Sequence, residues 1–354
     1  MRRIPVIIFG AGGVGRALMR QIMTSREVVA GRNQCRFDVA AVLDSKGWMW
    51  QPAGLSDEQL ERIVTLKSSG EALAGQRPEN IDVLAQFSSA GLGDGLIVDV
   101  TAAEGMEPII DRALEGGCAV VLANKKPLCG PWEAARRFFG QPALRYEATV
   151  GGGQPVIATL RTLRDTNDPV YEIEGQLSGT LGFICGRLDE GVPFSQALAE
   201  AKASGFTEPD PREDLGGQDV KRKIMILGRL AGWPLKDEDI VVEALYHSSL
   251  SHLSVPEFMQ AAVAMDGSLQ DRVQVALASD RVLRYVARVT AEGGSVGLNA
   301  VPRGSALASL KYVSFHTAHY DDERLLIGGK GAGVEMTAAG VLGDMIGLAR
   351  ELWH

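Results

Sequence analysis

The sequence has few cysteines, and those it has are far apart. It contains four in 354 residues, Cys35, Cys118, Cys129 and Cys185, with no Cys-x-x-Cys pair and no histidine at metal-ligand spacing. This pattern indicates neither a disulfide framework nor a zinc site. Scattered thiols are typical of proteins in a reducing compartment, and we expect a cytoplasmic protein.

The sequence also lacks long apolar runs and an excess of positive charge. No run approaches the roughly 20 residues of a membrane span, and the N-terminus enters a strand-like run without a signal peptide pattern. The 36 Lys and Arg residues are outnumbered by 44 Asp and Glu residues, for a net charge of −8. Because nucleic-acid binding needs a concentrated basic face, we expect a small-molecule substrate and neither nucleic acid nor membrane as a partner.

Short apolar runs alternate with amphipathic stretches through the first part of the chain. The runs lie at Ile4–Phe9, Phe37–Leu43, Leu96–Val100, Ala119–Leu122 and Leu144–Glu147. Strands that alternate with helices are typical of a parallel sheet; the segment from 47 to 95 is less regular. We therefore predict an α/β fold with a Rossmann-type nucleotide-binding domain over residues 1–148.

After Gly151-Gly152-Gly153 the pattern changes to several helices with β-like runs. These runs lie at Tyr171–Leu177, Leu283–Thr290, Ser295–Ala300 and Val313–His319. They predict an α+β second domain over residues 149–320. The last segment, 321–354, joins a glycine-rich turn to an apolar helix over Thr337–Leu352, which we expect to return to the first domain.

A glycine-rich turn follows the first predicted strand and opens a helix. It contains Gly10, Gly12, Gly13, Val14 and Gly15 in the pattern Gly-x-Gly-x-x-Gly. The first glycine permits the tight turn, the second lets the backbone approach a pyrophosphate, and the third lets helix and strand pack closely. The N–H groups of the helix N-terminus are then available to phosphates. This context predicts a dinucleotide site.

Polar residues follow three further predicted strands, at the edge where ligands of parallel sheets bind. Asp44 ends the second strand, and there it would accept the ribose hydroxyls of NAD. Lys46 is two residues further on and could pair with a 2′-phosphate, so that the choice between NAD and NADP stays open. Thr101 and Lys125 follow the next two strands and are cofactor-site candidates.

An acid and a lysine interrupt the apolar face of a predicted helix after Gly217. On a helical wheel, Asp219 and Lys223 fall within the apolar arc, whereas Lys221, Arg222 and Arg229 fall outside it and are expected to be solvated. A half-buried Asp/Lys pair is costly unless it is compensated. It is either an ion pair that supports the helix or part of an active site in which Lys223 donates a proton or polarises a carbonyl.

In combination, these segments resemble homoserine dehydrogenase over nearly the whole chain. The matching motifs are Gly10–Gly15, Ala123–Leu128, Glu147–Pro155, Leu177–Ile184, Gly205–Lys223, Gly331–Gly333 and Thr337–Leu342. The resemblance implies NAD(P)-dependent interconversion of homoserine and aspartate 4-semialdehyde, a step toward threonine, isoleucine and methionine. It also implies a homodimer formed through the second domain, which would bind the substrate as well.

The resemblance assigns roles to individual residues. Lys223 is the proton-transferring lysine, and Asp219 is its neighbour that contacts substrate. Glu208 and Asp214 match acidic substrate-site residues, and Glu208 suits the amino group of homoserine. Lys125 matches a lysine near the reacting hydroxyl and the nicotinamide. Gly333 matches a cofactor-contacting position.

The resemblance further implies a site for a monovalent cation, usually described with sodium. Its ligands would be Glu147, Val150, Gly152 and Gln154, since carbonyls exposed by a glycine-rich bend beside a carboxylate suit a hard cation. A domain hinge is the alternative. The chain departs from the family at Lys330, where proline is common. It ends at His354, so a short form without an ACT domain or a fused aspartokinase is expected.

Other functions are compatible with parts of the pattern. A related dehydrogenase could act on another small hydroxy or semialdehyde compound, and a sensor of NAD(P) redox state could keep the fold without turnover. A sensor needs no Asp/Lys pair on an apolar face, and an aldehyde-oxidising enzyme would need a cysteine in an activating context, which the sequence does not show.

Overall fold

The computed structural model describes residues 1–353, which form two compact units. Unit 1 comprises Met1–Pro155 together with the segment that begins at Ala332, and unit 2 comprises Val156–Gly331. The domain boundaries that we predict from the sequence, after residues 148 and 320, lie a few residues before these limits. Among residues 1–353, no helix is both long enough and apolar enough to cross a membrane.

The strands of the two units form one sheet each. In chain order they are β1 (Arg2–Phe9), β2 (Cys35–Leu43), β3 (Gly47–Trp50), β4 (Gly75–Gln76), β5 (Leu96–Asp99), β6 (Ala119–Leu122), β7 (Leu144–Arg145), β8 (Val170–Gly175), β9 (Ile240–Val242), β10 (Arg281–Thr290), β11 (Gly293–Pro302), β12 (Tyr312–Thr317) and β13 (Leu325–Gly328).

The helices are numbered in the same way. They are α1 (Gly13–Asn33), α2 (Asp57–Ser68), α3 (Asn80–Ser89), α4 (Glu107–Glu115), α5 (Lys126–Cys129), α6 (Trp132–Phe139), α7 (Val156–Asp165), α8 (Gly179–Asp189), α9 (Phe194–Ala203), α10 (Arg212–Leu215), α11 (Gln218–Leu230), α12 (Val255–Ala261), α13 (Asp266–Leu277), α14 (Ala306–Ser309) and α15 (Val334–Leu352). Short 3₁₀ turns cover Glu147–Thr149, Asp237–Asp239, Ser248–Leu250 and Ala262–Met265.

The sheet of unit 1 has the order β4-β3-β2-β1-β5-β6-β7. Strands β2, β1, β5, β6 and β7 are parallel, as predicted, because helices cross over between them. The less regular segment of the sequence, from 47 to 95, contributes β3 and β4, which add to the edge of the sheet in antiparallel pairing. These strands are four and two residues long, which is too short to leave an alternating pattern in the sequence.

Helix α15, which the sequence analysis expects to return to the first domain, lies in unit 1. Gln21 of α1 donates from Nε2 to the carbonyl oxygen of Glu335, at 3.0 Å. Ala338, Val341 and Met345 are fully buried in the core of this unit. The helix therefore completes the apolar layer on one face of the nucleotide-binding sheet.

The sheet of unit 2 has the order β13-β12-β8-β10-β11-β9 and is mainly antiparallel, with β9 parallel to β11. This confirms the predicted α+β class. Helix α11 packs directly on β10. A Cβ at Gly217, just before the helix, would lie 2.2 Å from the hydroxyl oxygen of Tyr285, so this glycine permits the close approach of helix to sheet. A Cβ at Gly228 would lie 2.4 Å from Cδ1 of Leu235, so this glycine leaves room for the chain that follows the helix.

Helix α11 is more deeply buried than its helical wheel predicts. Arg222 is exposed as expected, but the expectation that Lys221 and Arg229 are solvated is wrong, since both are buried. The chain after α11 folds back along the helix. Arg229 donates from Nε to the carbonyl oxygen of Leu235 at 3.0 Å, and Nζ of Lys221 lies 2.7 Å from Oδ2 of Asp237. A wheel detects one apolar face and cannot detect a second cover supplied by later residues.

We expect Arg229→Met to lower the free energy of unfolding by about 2 to 3 kcal/mol, because it leaves the buried carbonyl of Leu235 without this donor. Urea unfolding of the purified protein measures the change. Arg222→Met is the matched control on the same helix, and we expect it to change stability by less than about 0.5 kcal/mol. Equal stabilities of the two variants would contradict a structural role for Arg229.

Candidate active site

The turn from β8 to α8 holds Lys223 and its acidic partner. Nζ of Lys223 donates to the carbonyl oxygen of Leu177 at 2.8 Å. It also lies 2.7 Å from Oδ2 of Asp219, one helical turn earlier; the Lys223 side chain is 18% exposed and that of Asp219 is 47% exposed. The pair therefore lies at the edge of the core, where a ligand can reach an ammonium group held by two acceptors.

Asp214 is fixed beside the same turn. Thr180, in the first turn of α8, donates from Oγ1 to Oδ1 of Asp214 at 2.9 Å. The backbone N–H of Glu208 donates to Oδ2 of Asp214 at 2.8 Å, and the Glu208 side chain is exposed. Asp214 therefore positions the loop that carries Glu208.

The structure brings all four predicted substrate-site residues to one segment of unit 2. The carbonyl of Leu177 binds Lys223, and the hydroxyl of Thr180 binds Asp214. Leu177 and Thr180 are three residues apart in the chain, which separates them by at most about 11 Å. The sequence analysis gave no role to Thr180, although its motif was noted. The sequence did contain a signal for the helix start at this motif, because Ser178 is a typical N-cap residue. In the structure Ser178 accepts a hydrogen bond from the N–H of Leu181, and this cap places Thr180 in the first turn of the helix.

The glycine turn of unit 1 has the geometry that its pattern predicts. Gly10 has φ +110°, a conformation that favours glycine. A Cβ at Gly15 would lie 2.0 Å from the carbonyl oxygen of Gly10, whereas one at Gly12 would meet nothing within 4 Å. No side chain caps the start of α1 and no acid lies in its first turn. Unpaired N–H groups at an exposed helix N-terminus suit an anion such as a pyrophosphate.

The terminal glycine turn lies beside this loop within unit 1. Gly333, with φ +111°, is the residue before α15. A Cβ at Gly13 would lie 3.2 Å from Cγ2 of Val334. The predicted cofactor positions Gly13 and Gly333 are therefore brought together by the start of α15.

A buried acid links the ends of β5 and β6. Asp99 accepts from the N–H and from Oγ1 of Thr101, at 2.9 and 2.6 Å, and from Nδ2 of Asn124 at 2.9 Å. Burial raises the pKa of Asp99, while these donors oppose that rise. The network fixes Thr101 and the segment that enters α5 at Lys125. Asp99 was missed in the sequence analysis, although an acid inside the apolar run Leu96–Val100 is itself a signal.

Asp44 is enclosed by donors from its own unit. Its Oδ1 accepts from the backbone N–H groups of Lys46 and Gly47, both at 2.7 Å. Its Oδ2 accepts from Nζ of Lys67 at 2.7 Å and from the N–H of Leu73 at 3.0 Å. Burial would raise the pKa of Asp44, but these hydrogen bonds outweigh burial and lower the pKa to about 2.

This lowered pKa makes a prediction about stability at acid pH. Because the pKa of Asp44 in the folded chain lies below its unfolded value of 3.8, its contribution is present above about pH 4 and is lost as the pH falls toward 2. We expect Asp44→Asn to cost about 2 kcal/mol at pH 7 and about half as much at pH 3, measured by urea unfolding. Asp94→Asn, at an exposed site, is the control. A cost that does not depend on pH would contradict the assignment.

The predicted cation ligands lie in one continuous turn of unit 1. Gly151 and Gly152 have φ +77° and +62°, and Oδ2 of Asp344 accepts from the N–H of Glu147 at 2.7 Å. A Cβ at Gly340 would lie 2.4 Å from the carbonyl oxygen of Gly152, so this oxygen faces α15. Among residues 1–353 no cluster of three His, Cys, Asp or Glu side chains could hold a metal; any cation here would depend largely on carbonyl and amide oxygens.

Three of the four cysteines are enclosed in the core. Cys35, Cys118 and Cys185 are buried. Burial raises the pKa of Cys118 and of Cys185 to about 11. A nucleophilic cysteine needs a lowered pKa and access to substrate, so these buried thiols do not support an aldehyde-oxidising enzyme with a thiolate nucleophile.

Comparison with known proteins finds two family models that together cover most of the chain. The model "Homoserine dehydrogenase" matches residues 155–346, and "Homoserine dehydrogenase, NAD binding domain" matches residues 10–137. Among curated relatives, a homoserine dehydrogenase of Paracoccidioides brasiliensis is 34% identical in an alignment of 366 positions that covers 98% of this chain and 97% of that protein.

A bifunctional aspartokinase/homoserine dehydrogenase of Haemophilus influenzae is also 34% identical, over 99% of this chain. The chain spans about two fifths of the length of such bifunctional relatives, 43% in this example. Among solved structures, a Candida auris protein of unknown function has TM-score 0.87 at 31% identity, covering 99% of both chains. A putative homoserine dehydrogenase of Archaeoglobus fulgidus has TM-score 0.77 at 26% identity, covering 98% of this chain and 99% of that one.

Proposed function

The chain belongs to the homoserine dehydrogenase family, and from this premise we propose that it interconverts L-homoserine and L-aspartate 4-semialdehyde with NAD(P), as part of amino-acid biosynthesis. The observation that carries the proposal is the Lys223 ammonium at the edge of the core, held by Asp219 and by the carbonyl of Leu177. A redox sensor without turnover would not need this group. A full-length relative named for the same activity favours homoserine over another small hydroxy compound.

In the reductive direction, we assign Lys223 to polarise and protonate the aldehyde oxygen. Asp219 orients the ammonium by its ion pair. Glu208, whose side chain is exposed on the loop that Asp214 holds, suits the amino group of homoserine. Bound reduced cofactor, NADH or NADPH, would supply the hydride.

For the cofactor, we propose that the glycine turn of unit 1 and the start of α1 hold the pyrophosphate. The open space above Gly12 and the uncapped helix start support this assignment. Thr101 and Lys125 follow β5 and β6 at the carboxyl ends of parallel strands, where nucleotides bind in such folds. We assign Gly333 to the same cofactor site, because the next residue, Val334, packs on Gly13.

The test is absorbance at 340 nm with L-homoserine and NAD or NADP. Oxidation of homoserine by NAD(P) releases a proton, so we expect more reduced cofactor to form at alkaline pH than at neutral pH. D-homoserine is the matched control for substrate stereochemistry. If the folded protein binds a nicotinamide cofactor but L-homoserine gives no reduced cofactor, the substrate assignment is overturned.

We also propose that residues 147–154 can hold a monovalent cation such as sodium. The buried Nε2 of Gln154 has no hydrogen-bond partner in the described chain, and rotation of this amide would present an oxygen instead. The test compares activity in sodium chloride, potassium chloride and choline chloride at equal ionic strength. Equal rates in all three would contradict a catalytic role for the cation.

We further propose a cytoplasmic homodimer formed through the sheet of unit 2. Cross-strand pairing aligns one row of side chains on a face of this sheet: Leu326, Ser314, Glu174, Arg288, Ser295 and Val241. Val241 and Leu326, at its two ends, are 70% and 42% exposed, so apolar side chains at both edges of the sheet are open to a partner. Free cysteines support a reducing compartment, in agreement with the cytoplasm.

Sedimentation velocity tests the dimer. The wild-type protein should have the mass of a dimer, and Val241→Glu should shift the measured mass toward that of a monomer.

A further inference from the structure

Asp99 is a buried acid at the end of β5, and it is 1% exposed. Its hydrogen bonds come from Thr101 and Asn124, and within residues 1–353 no Lys or Arg side chain binds it. Burial raises the pKa of Asp99 because it disfavours the charged form, and the nearby charge of Glu107 adds to the rise. A neutral amide of the same shape would avoid the cost of burying a charge. This cost indicates that Asp99 supplies something that an amide cannot.

Both oxygens of Asp99 act as acceptors, which an asparagine cannot reproduce. Oδ1 accepts from the N–H and the hydroxyl of Thr101, at 2.9 and 2.6 Å, and Oδ2 accepts from Nδ2 of Asn124 at 2.9 Å. A carboxylate only accepts, whereas an amide accepts at its oxygen and donates from its nitrogen. In one orientation an amide at position 99 would turn its NH₂ toward that of Asn124. In the other orientation it would turn its NH₂ toward the N–H of Thr101.

Asn124 connects Asp99 to the backbone on both sides of Lys125. Asn124 is 2% exposed, and its Nδ2 also donates to the carbonyl oxygen of Ala103 at 2.8 Å. Its Oδ1 accepts from the N–H of Lys126 at 3.1 Å. Rotation of this amide would therefore break bonds at both of its ends. Lys125 lies between Asn124 and Lys126, directly before α5, so the bond from Asn124 to Asp99 helps to set where the Lys125 backbone lies.

We propose that Asp99 is a positioning residue for Lys125. By accepting on both oxygens it fixes the orientation of Asn124, and through Asn124 it fixes the backbone from which the Lys125 side chain extends. This rests on the proposed function, in which Lys125 belongs to the nucleotide end of the site. A misplacement of about 1 Å, caused by a group that does not itself react, can lower a rate about 10²-fold.

The test compares Asp99→Asn with the exchange variant Asp99→Asn/Asn124→Asp. We expect Asp99→Asn to lower kcat for L-homoserine oxidation by about 10 to 10². Its NADPH affinity should stay within about threefold, because the new amide oxygen can still accept from Thr101. In the exchange variant the new amide donates to the new carboxylate, which still accepts from Lys126. Most of the lost rate should therefore return, although the carbonyl of Ala103 loses its donor.

Leu348→Ala is the control for a loss of stability alone. Leu348 is fully buried in α15, in the core of unit 1, and its truncation should lower the melting temperature without lowering kcat. An Asp99→Asn protein with the wild-type kcat would overturn the proposal, as would an equal loss of kcat in Leu348→Ala. A loss that the exchange does not recover would assign the effect to the charge at position 99 and overturn it as well. Wild-type protein that does not oxidise L-homoserine would overturn the proposed function, and this inference with it.

Discussion

Replacing Lys223 with alanine should lower kcat by about 10² to 10⁴, the usual contribution of a positioned proton donor. The ammonium that is held at 2.7 Å from Asp219 and 2.8 Å from the Leu177 carbonyl is then missing from the oxygen that gains charge. Because NADPH is proposed to bind unit 1, its affinity should stay within about twofold. Steady-state kinetics with L-homoserine and a fluorescence titration measure the two effects.

Two variants control for other causes. Lys223→Arg keeps the positive charge but a guanidinium does not release its proton near neutral pH, so we expect it to remain slow. Arg222→Ala removes an exposed charge one residue away and should keep the wild-type rate. A Lys223→Ala enzyme that turns over at the wild-type rate would remove Lys223 from the chemistry, and with it the central element of the proposed mechanism.

The pairing of Lys223 with Asp219 was predictable because its signal is local. Asp219 and Lys223 are one helical turn apart on an apolar face, and the structure pairs them. The same helical wheel predicted that Arg229 is solvated, whereas the structure shows that it is buried. The difference has a physical cause. The acceptor of Arg229 is the carbonyl of Leu235, which lies beyond the end of the helix. Contacts from residues outside a helix leave no periodic pattern in the sequence of the helix itself.

Asp44 shows the same limit at the nucleotide site. Its position after the second strand was predictable from the βα pattern, and so was its acidic character. Its donors Lys67 and Leu73 come from the end of α2 and from the loop after it, in the segment where the pattern was least regular. A motif therefore located the residue, whereas only the tertiary contacts reveal that its oxygens are occupied.

Replacing Gly15 with alanine should disrupt the nucleotide site more than any other single methyl group that we consider. The new Cβ would lie 2.0 Å from the carbonyl oxygen of Gly10, a backbone atom that cannot rotate away. Helix α1 would have to move off the strand end, at a cost of about 3 kcal/mol in the free energy of unfolding. We expect NADPH affinity to fall at least tenfold, because the N–H groups of the helix start move with it.

Gly31→Ala on the same helix is the matched control, since it makes the same substitution where a Cβ meets nothing within 4 Å. Alanine has the higher helix propensity, so this variant should be more stable than wild type by about 0.5 to 1 kcal/mol and should bind NADPH normally. Opposite signs for two identical substitutions in α1 would locate the effect in the contact of Gly15 with Gly10. If Gly15→Ala instead bound NADPH as wild type does, close packing of the helix on the strand would not be what forms this site.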